Sequence, residues 1–284
     1  MTVKKQRIGV VGAGLMGTEI ALVHALAGHN VILCDRTEEA LSRAQQRLND
    51  IYDKGASRSF YDKDIKGAVL DAIQTTVDFR KLSDRDLVVE AVFEQQSVKE
   101  EVLKAIDAIC GPDCVFATNT STMPISVLAS FVAPARRSRF IGTHYFSPVS
   151  RMKLVEVIPA IETDEATIAK VMELCRSIGK TPVRIKDVTG FAVNRLLHVL
   201  MIEAVRLVEE GVATPEDIDL ACRLGLGHPM GPFELMDATT SSLCLQAQQI
   251  MFDAYGERFR PRPLLKQRVQ AGYVGGRGRK GWRS

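Results

Sequence analysis

The sequence predicts an α/β protein built on a doubly wound, mostly parallel β-sheet, followed by an all-α domain. Two observations lead to this fold class. In residues 1–188, short runs rich in Val and Ile alternate with helical patterns, as expected of parallel strands joined by helices. After residue 188 the strand patterns stop and only helical patterns remain. Because 284 residues suffice for two domains, we predict one at 1–188 and a second at 189–284.

The composition is that of an ordinary globular protein and excludes several classes. No apolar run approaches the ~20 residues of a membrane span. No small-residue cleavage site follows an apolar core near the N-terminus, so we expect a cytoplasmic protein without membrane contact. The net charge of +3 is too small to indicate a nucleic-acid partner. We expect reduced, structural thiols and no metal site, since no CxxC pair occurs among Cys34, Cys110, Cys114, Cys175, Cys222 and Cys244.

A glycine-rich turn follows the first predicted strand. The run Arg7–Val11 is β-rich, and Gly12-Ala13-Gly14-Leu15-Met16-Gly17 comes directly after it and opens a helix. This is the GxGxxG pattern in the context it requires. Gly12 permits the tight turn, Gly14 lets the backbone approach a pyrophosphate, and Gly17 lets the helix pack closely. The helix N-terminus at Leu15 and Met16 offers N–H groups to phosphates, so a Rossmann-type nucleotide site is predicted.

An aspartate ends the second predicted strand. Asp35 closes the run NVILCD, about 20 residues after the glycines, where a carboxylate accepts the ribose hydroxyls of a dinucleotide. A carboxylate at this position repels a 2′-phosphate, which favours NAD over NADP, although Arg36 beside it acts in the opposite sense. The alternative is a structural βαβ unit that binds no ligand.

A polar helical region, from Glu38 to about Ile73, interrupts the alternation of strands. Gly55-Ala56-Ser57 is predicted to break it into a helical hairpin inserted in the domain. Its first arm is basic, and such charges ordinarily form a solvated face. They can also meet a phosphorylated substrate, and the basic residues are Arg43, Arg47, Lys54 and Arg58.

Polar residues follow two further predicted strands. Glu94 and Lys99 come at the carboxyl end of the strand Asp86–Glu94, and Thr118-Asn119-Thr120-Ser121-Thr122 follows the strand Cys114–Ala117. Ligands of open α/β sheets bind at this rim, so Glu94, Lys99 and Asn119 are assigned to the cofactor site. The alternative for the hydroxyl residues is ordinary helix capping.

The stretch Arg139–Ile158 is predicted to be a strand, a turn and a returning strand. If the turn is centred near Ser150, His144 and Glu156 face each other, with Cβ atoms about 5 Å apart. A carboxylate on one ring nitrogen makes the other a better base. The hairpin alone equally allows a surface ion pair. A helix at Thr163–Gly179 and a last strand at Thr181–Lys186 complete the domain.

The second domain is predicted to be helical. An apolar helix opens at Gly190 and runs through Leu207, and we expect it to be buried, against a second subunit or within the chain. Asn194 in its first turn is either a cap partner or a ligand to the site. One long helix is expected from Phe233 to Gly256, and the last ten or so residues of the basic tail are expected to be mobile.

With these motifs assembled, the chain resembles the L-3-hydroxyacyl-CoA dehydrogenase family over nearly its whole length. The resemblance implies that His144 is the catalytic base, that Glu156 orients it, and that Ser121 contacts substrate. It further implies that Asn194 holds the substrate carbonyl and that Glu94 and Lys99 lie near the nicotinamide ribose. The matching segments are GVVGAGLMG, VVEAVFE, TNTSTMPI, GTHYFSPV with MKLVEVI, GFAVNRLL and LGLGHPMGPFEL.

The resemblance implies NAD-dependent interconversion of an L-3-hydroxyacyl-CoA, in particular a short-chain one, and a 3-ketoacyl-CoA. It also implies a homodimer formed through the helical domain. Arg43 and Lys54 are assigned to the phosphates of CoA. The chain departs from the family at Ser147, where an asparagine is usual, in MDATTSS after MGPFEL, and in GRKGWRS at the end. Two alternatives stay open: a dehydrogenase of free hydroxy acids of the gulonate type, and a non-catalytic protein of the crystallin type.

Overall fold

The computed structural model describes residues 5–283. The outer limits of the two predicted domains, residues 1 and 284, lie outside this range. The described chain divides into two compact units, one ending at Asp187 and the other beginning at Val188. No helix among the described residues is long and apolar enough to cross a membrane.

The first unit contains an eight-stranded sheet of order β3-β2-β1-β4-β5-β6-β7-β8. All neighbouring strands pair in parallel except β6 and β7, which are antiparallel, so the predicted doubly wound, mostly parallel sheet is confirmed. The strands are β1 (Arg7–Val11), β2 (Asn30–Cys34), β3 (Ile73–Thr76), β4 (Leu87–Glu90), β5 (Val115–Thr118), β6 (Phe140–Tyr145), β7 (Leu154–Pro159) and β8 (Thr181–Arg184).

Helices cover both faces of this sheet. Alternate strand residues such as Ile8 and Val10 pack with the apolar sides of α1, α2 and α7 in one buried cluster. Burial of these side chains is the main stabilising contribution to the fold. The helices of the first unit are α1 (Leu15–Leu26), α2 (Glu38–Ser57), α3 (Lys66–Asp71), α4 (Gln96–Asp107), α5 (Ile125–Ala129), α6 (Pro134–Arg137) and α7 (Glu165–Ser177).

The predicted helical hairpin is present: α2 ends at Ser57, inside the predicted break, and α3 follows from Lys66. Gly55 itself belongs to α2, and the Tyr61 ring packs on it, so that a Cβ there would lie 2.2 Å from a ring atom. Ile73 was expected in a helix but begins β3, where it pairs with Val31 of β2. The helical and strand patterns overlap in this short apolar run, and only pairing with β2 distinguishes them. The strand predicted at Asp86–Glu94 is likewise shorter, ending at Glu90.

The second unit is helical, as predicted. Its core joins Met201 and Val205 of α8 to Phe233 and Met236 of α10. The described helices are α8 (Val193–Glu209), α9 (Pro215–Gly225), α10 (Pro232–Thr239), α11 (Ser241–Tyr255) and α12 (Pro263–Gln270).

Helix α8 buries Met201 and Val205 within the chain, whereas Leu196 is 76% exposed in the single chain, so burial of this face against a second subunit stays a prediction. Two predictions for this unit are wrong. The single helix expected after Pro232 is two helices, because Thr240 has φ of 84° and its side chain caps α11 by accepting from Leu243. The tail expected to be mobile folds back, and Trp282 is buried against Phe233.

Candidate active site

The glycine turn has the shape that a pyrophosphate requires. Gly12 has φ of 106°, and its N–H donates to Cys34 O, which ties the turn to β2. A Cβ on Gly17 would lie 1.8 Å from Gly12 O, so α1 begins against the turn only because this residue is glycine. A Cβ on Gly14 would meet no protein atom within 4 Å. The turn therefore has an open side at the N-terminus of α1, where Leu15 is half-exposed.

Asp35 stands beside this turn at the end of β2. Its carboxylate accepts Ala13 N–H at 2.6 Å and Arg36 N–H at 2.7 Å. A cavity of about 440 Å³ lies next to it, with Arg36 and Glu101 among its lining residues. Those two side chains form an ion pair at 2.8 Å. The glycine turn and the adjacent carboxylate are the groups that the pyrophosphate and a ribose of NAD require.

Lys99, which the sequence places at the rim of the sheet, is buried in the structure. Its ammonium is fully buried and donates to Glu90 Oε1 at 2.7 Å, with Glu94 Oε2 at 3.3 Å. Glu90, also fully buried, accepts Thr118 Oγ1 at 2.6 Å through its other oxygen. Glu90 is not among the residues predicted for the site, although a glutamate inside the apolar strand LVVE is a signal that the sequence contains. The rim of the sheet therefore contains a paired set of buried charges.

Glu94 holds the segment that contains Ser121. Its Oε1 accepts Thr120 Oγ1 at 2.5 Å, Ser121 N at 2.7 Å and Thr122 N at 3.1 Å. Burial by itself would raise the pKa of Glu94, but the charge of Lys99 and these hydrogen bonds lower that pKa below its ordinary value. Glu94 is therefore an anion that fixes the backbone at Ser121.

Asn119 connects this segment to the hairpin. Its N–H donates to Glu90 O at 2.8 Å, and its Oδ1 accepts Tyr145 N–H at 2.9 Å. Tyr145 is the neighbour of His144 on β6. The end of β5 and the strand that carries the imidazole are thus joined by one amide side chain.

His144 and Glu156 face each other in the antiparallel ladder of β6 and β7. The His144 Nδ1 atom lies 2.8 Å from Glu156 Oε2, and the two residues are 5% and 1% exposed. The imidazole also lies against the Phe146 ring, with centroids 4.6 Å apart. The pair is buried, so the alternative of a surface ion pair is wrong. A carboxylate at Nδ1 sets the tautomer and directs Nε2 to proton transfer.

The remaining predicted residues belong to other elements. Asn194 is in the second unit, where it is half-buried in the first turn of α8. Arg43 and Lys54 are exposed on α2. Within residues 5–283, no three His, Cys, Asp or Glu side chains are grouped so that they could hold a metal ion.

A glycine turn that fits NAD, followed by a sheet rim carrying a buried imidazole and carboxylate, defines an NAD-dependent dehydrogenase. Comparison with known families gives the particular one. Residues 7–188 match the model described as "3-hydroxyacyl-CoA dehydrogenase, NAD binding domain", and residues 190–284 match "3-hydroxyacyl-CoA dehydrogenase, C-terminal domain". The chain belongs to the 3-hydroxyacyl-CoA dehydrogenase family.

Individual relatives agree with this assignment. A probable 3-hydroxybutyryl-CoA dehydrogenase of Deinococcus radiodurans is 39% identical over 274 residues, 95% of this chain and 96% of that protein. The crystal structure of M. tuberculosis FadB2 has a TM-score of 0.95 at 37% identity and covers 99% of both chains. The (S)-3-hydroxybutyryl-CoA dehydrogenase PaaH1 of Ralstonia eutropha has a TM-score of 0.93 at 34% identity, with 98% of both chains covered.

Proposed function

We propose that the protein interconverts a short-chain L-3-hydroxyacyl-CoA, such as 3-hydroxybutyryl-CoA, and the corresponding 3-ketoacyl-CoA, with His144 as general base. The single observation that carries this proposal is the buried contact of 2.8 Å between His144 and Glu156. The names of relatives in D. radiodurans and R. eutropha support the choice of acyl group.

The proposed chemistry follows from the residues of the hairpin. His144 Nε2 takes the proton of the substrate 3-hydroxyl, and Glu156 stabilises the imidazolium that forms, because its carboxylate accepts from Nδ1. NAD, when bound, supplies the acceptor for the hydride that leaves C3. Ser121 and Asn194 are proposed to donate hydrogen bonds to the substrate oxygens, where negative charge changes during transfer.

The cofactor site is proposed to include the glycine turn and the end of β2. Gly12 and Gly14 with the N–H groups at Leu15 and Met16 would hold the pyrophosphate, Gly17 would let α1 begin close to the turn, and Asp35 would accept from the adenosine ribose. Glu94, Lys99 and Asn119 would shape the nicotinamide end, through the hydrogen bonds described above rather than through an exposed ammonium. The carboxylate of Asp35 supports NAD over NADP.

The basic face of α2 is proposed to meet the phosphates of CoA. Arg43, Arg47 and Lys54 recur at helical spacing and so share one side of the helix, and Arg58 is its C-cap residue. Arg43 and Lys54 are exposed, which leaves their charges available to a polyanion.

We further propose a homodimer and a cytoplasmic location. Leu196 and Val199 of α8 and Leu220 and Leu224 of α9 are exposed apolar residues on neighbouring helices, as expected of a face that pairs with a second copy. All six cysteines are buried free thiols, which suits a reducing compartment.

The proposal is tested by His144→Gln and Glu156→Gln, with NADH absorbance followed on acetoacetyl-CoA, free acetoacetate and gulonate. His144→Gln is expected to lower kcat by about 10² to 10⁴-fold, the usual contribution of a general base. Glu162→Gln, which removes an exposed carboxylate paired with Arg137, serves as the matched control and should keep the wild-type rate. NADH binding by His144→Gln shows that the fold is retained. A near wild-type rate for His144→Gln, or faster turnover of a free acid, contradicts the proposal.

A further inference from the structure

The turn between β6 and β7, residues 146–153, connects the two proposed catalytic side chains, and we name it the catalytic turn. His144 lies just before it and Glu156 just after it. In a hairpin the turn determines which residues face each other, and a slip of one residue would move one partner to the opposite face of the sheet. Whatever fixes the catalytic turn therefore fixes the contact between His144 and Glu156.

A buried carboxylate from α1 holds one side of the catalytic turn. Glu19 is 4% exposed, and its Oε2 accepts the Ser150 N–H at 2.9 Å. Glu19 lies one turn after Leu15, at the start of the helix that follows the glycine turn. One helix thus contributes its N-terminus to the nucleotide site and a carboxylate to the catalytic turn.

A buried ammonium holds the other side. Lys180 is 7% exposed and directly precedes β8. Its Nζ donates to Val149 O and, at 2.9 Å, to Met152 O. Burying a charge is costly unless hydrogen bonds compensate it, and here the compensating acceptors are two carbonyls of the catalytic turn.

A residue that follows α2 also contacts the catalytic turn. The Arg151 guanidinium lies over the Phe60 ring, 5.2 Å from its centroid. Two buried charges thus hydrogen-bond the catalytic turn, Glu19 at Ser150 and Lys180 at Val149 and Met152.

We propose that Glu19 and Lys180 are positioning residues for the dehydrogenase reaction, acting together on the backbone of the catalytic turn to keep His144 against Glu156. This inference rests on the roles proposed above for His144 and Glu156. Neither positioning residue is required to touch substrate or cofactor. Their loss is therefore expected to affect turnover more than cofactor affinity.

The groups around Lys180 make its hydrogen bonds to the catalytic turn depend on pH. Burial, and then the like charge of Lys153, lower the pKa of Lys180 to about 8, whereas Glu19 and the Cys175 thiol raise it. Nearby His24 is fully buried, and its pKa is lowered to about 3, first by burial and then by His29 and Lys180, so it stays neutral. A neutral amine is a weaker donor than an ammonium, so the hold on Val149 and Met152 weakens as pH rises through about 8.

The same titration of Lys180 affects the stability of the fold in the opposite direction: deprotonation weakens the hold on the turn but increases the free energy of unfolding. The pKa of Lys180 is about 8 in the folded protein and near 10.5 in the unfolded chain, so between these values the unfolded chain binds more protons. The contribution of this group to stability therefore increases with pH across that window. A loss of activity above pH 8 that comes from Lys180 is thus distinct from alkaline unfolding.

The first experiment compares Lys180→Met and Glu19→Leu with the conservative Lys180→Arg and Glu19→Gln on acetoacetyl-CoA and NADH. Misplacement of a reacting group by about 1 Å can cost about 10²-fold. We therefore expect kcat to fall by about 10 to 10²-fold in Lys180→Met and Glu19→Leu. The KM for NADH should stay within about twofold, and Arg and Gln should restore part of the rate, because each keeps a donor or an acceptor at the turn.

The pH profile separates positioning from a general structural role. The kcat ratio of wild type to Lys180→Met should decrease above pH 8, where wild-type Lys180 loses its charge. Lys153→Met is the matched control: the side chain is an exposed lysine of the same turn. It should keep kcat at pH 7 and move the alkaline limb to higher pH, because the like charge beside Lys180 is gone. A Lys180→Met enzyme with wild-type kcat and an unshifted profile overturns the proposal.

A second readout does not depend on turnover. In protein labelled with ¹⁵N-histidine, the ring signals of His144 should change in Lys180→Met, Lys180→Arg and Glu19→Gln and stay unchanged in Lys153→Met at pH 7. If wild type does not reduce acetoacetyl-CoA, the proposed function fails, and these signals still report on the turn. Unchanged His144 signals in all three variants overturn the positioning roles even if activity is lost.

Discussion

Gly14 directly precedes α1 and Gly17 lies in its first turn, yet a methyl group would meet different surroundings at each. At Gly17 it would collide with Gly12 O at 1.8 Å. At Gly14 it would meet no protein atom within 4 Å, on the side where a pyrophosphate would approach. One glycine serves packing and the other leaves room for the cofactor.

Gly17→Ala and Gly14→Ala are therefore expected to fail in different ways. Gly17→Ala should lower the free energy of unfolding without cofactor by about 1–3 kcal/mol, the usual cost of overpacking, and should also weaken NADH binding. Gly14→Ala should stay within about 1 kcal/mol of wild type and still bind NADH at least tenfold more weakly. Chemical unfolding and NADH fluorescence titration measure the two effects. Equal loss of stability in both variants would contradict this assignment.

Only part of the arrangement of polar residues at the rim could be predicted from the sequence. The sequence predicted Glu94, Lys99 and Ser121 at one rim because each follows a strand or begins the next helix. It did not show that Lys99 is buried on Glu90, or that Glu94 accepts from the Ser121 backbone. Lys99 reaches Glu90 from α4 across the end of β4, and Ser121 follows β5, 27 residues after Glu94. Both contacts depend on how the sheet and its helices pack, which residue patterns along the chain do not specify.

The C-terminal segment is the element whose prediction failed most clearly. A glycine-rich, basic stretch usually indicates a mobile tail. Here, however, two of its glycines pack tightly against Asp237: a Cβ on Gly275 or on Gly281 would lie within 3 Å of an Asp237 atom. The Asp237 carboxylate accepts the N–H groups of Trp282 and Arg283. The indole of Trp282 packs on Phe233 and donates to Ser241 Oγ at 2.9 Å. The glycines allow close approach here rather than mobility.

Trp282→Ala is expected to destabilise the helical unit by about 3–5 kcal/mol, because a buried aromatic is replaced by a cavity. Tyr273→Ala is the comparison: this aromatic of the same segment is 39% exposed, and its loss should cost less. Urea unfolding followed by circular dichroism gives both values. If the two variants are equally stable, the tail does not contribute to the core in the way described.

At the scale of the whole molecule, the exposed leucines of the second unit need an explanation. Leu196 is 76% and Leu224 79% exposed, which is unusual for large apolar side chains on adjoining helices of a monomer. Pairing with a second copy through this face would remove them from water.

Leu196→Asp with Leu224→Asp is expected to shift the protein from dimer to monomer, because two new charges would be buried at the interface. Light scattering coupled to size-exclusion chromatography measures the mass. Ile161→Asp changes an apolar residue of the first unit that is 89% exposed and should leave the mass unchanged. A monomeric wild type, or a double variant that still dimerises, would show that the face has another role.

The sequence by itself determined the fold class, the glycine turn, Asp35 and the facing positions of His144 and Glu156. These depend on local patterns: periodicity, turn glycines, and the register of a hairpin whose two strands adjoin in sequence. Only the tertiary structure decided that the pair is buried, that Glu90 and Glu94 organise the rim, and that Glu19 and Lys180 hold the catalytic turn. Burial and hydrogen bonding between distant segments arise when the sheet assembles, so no single stretch of the chain encodes them alone.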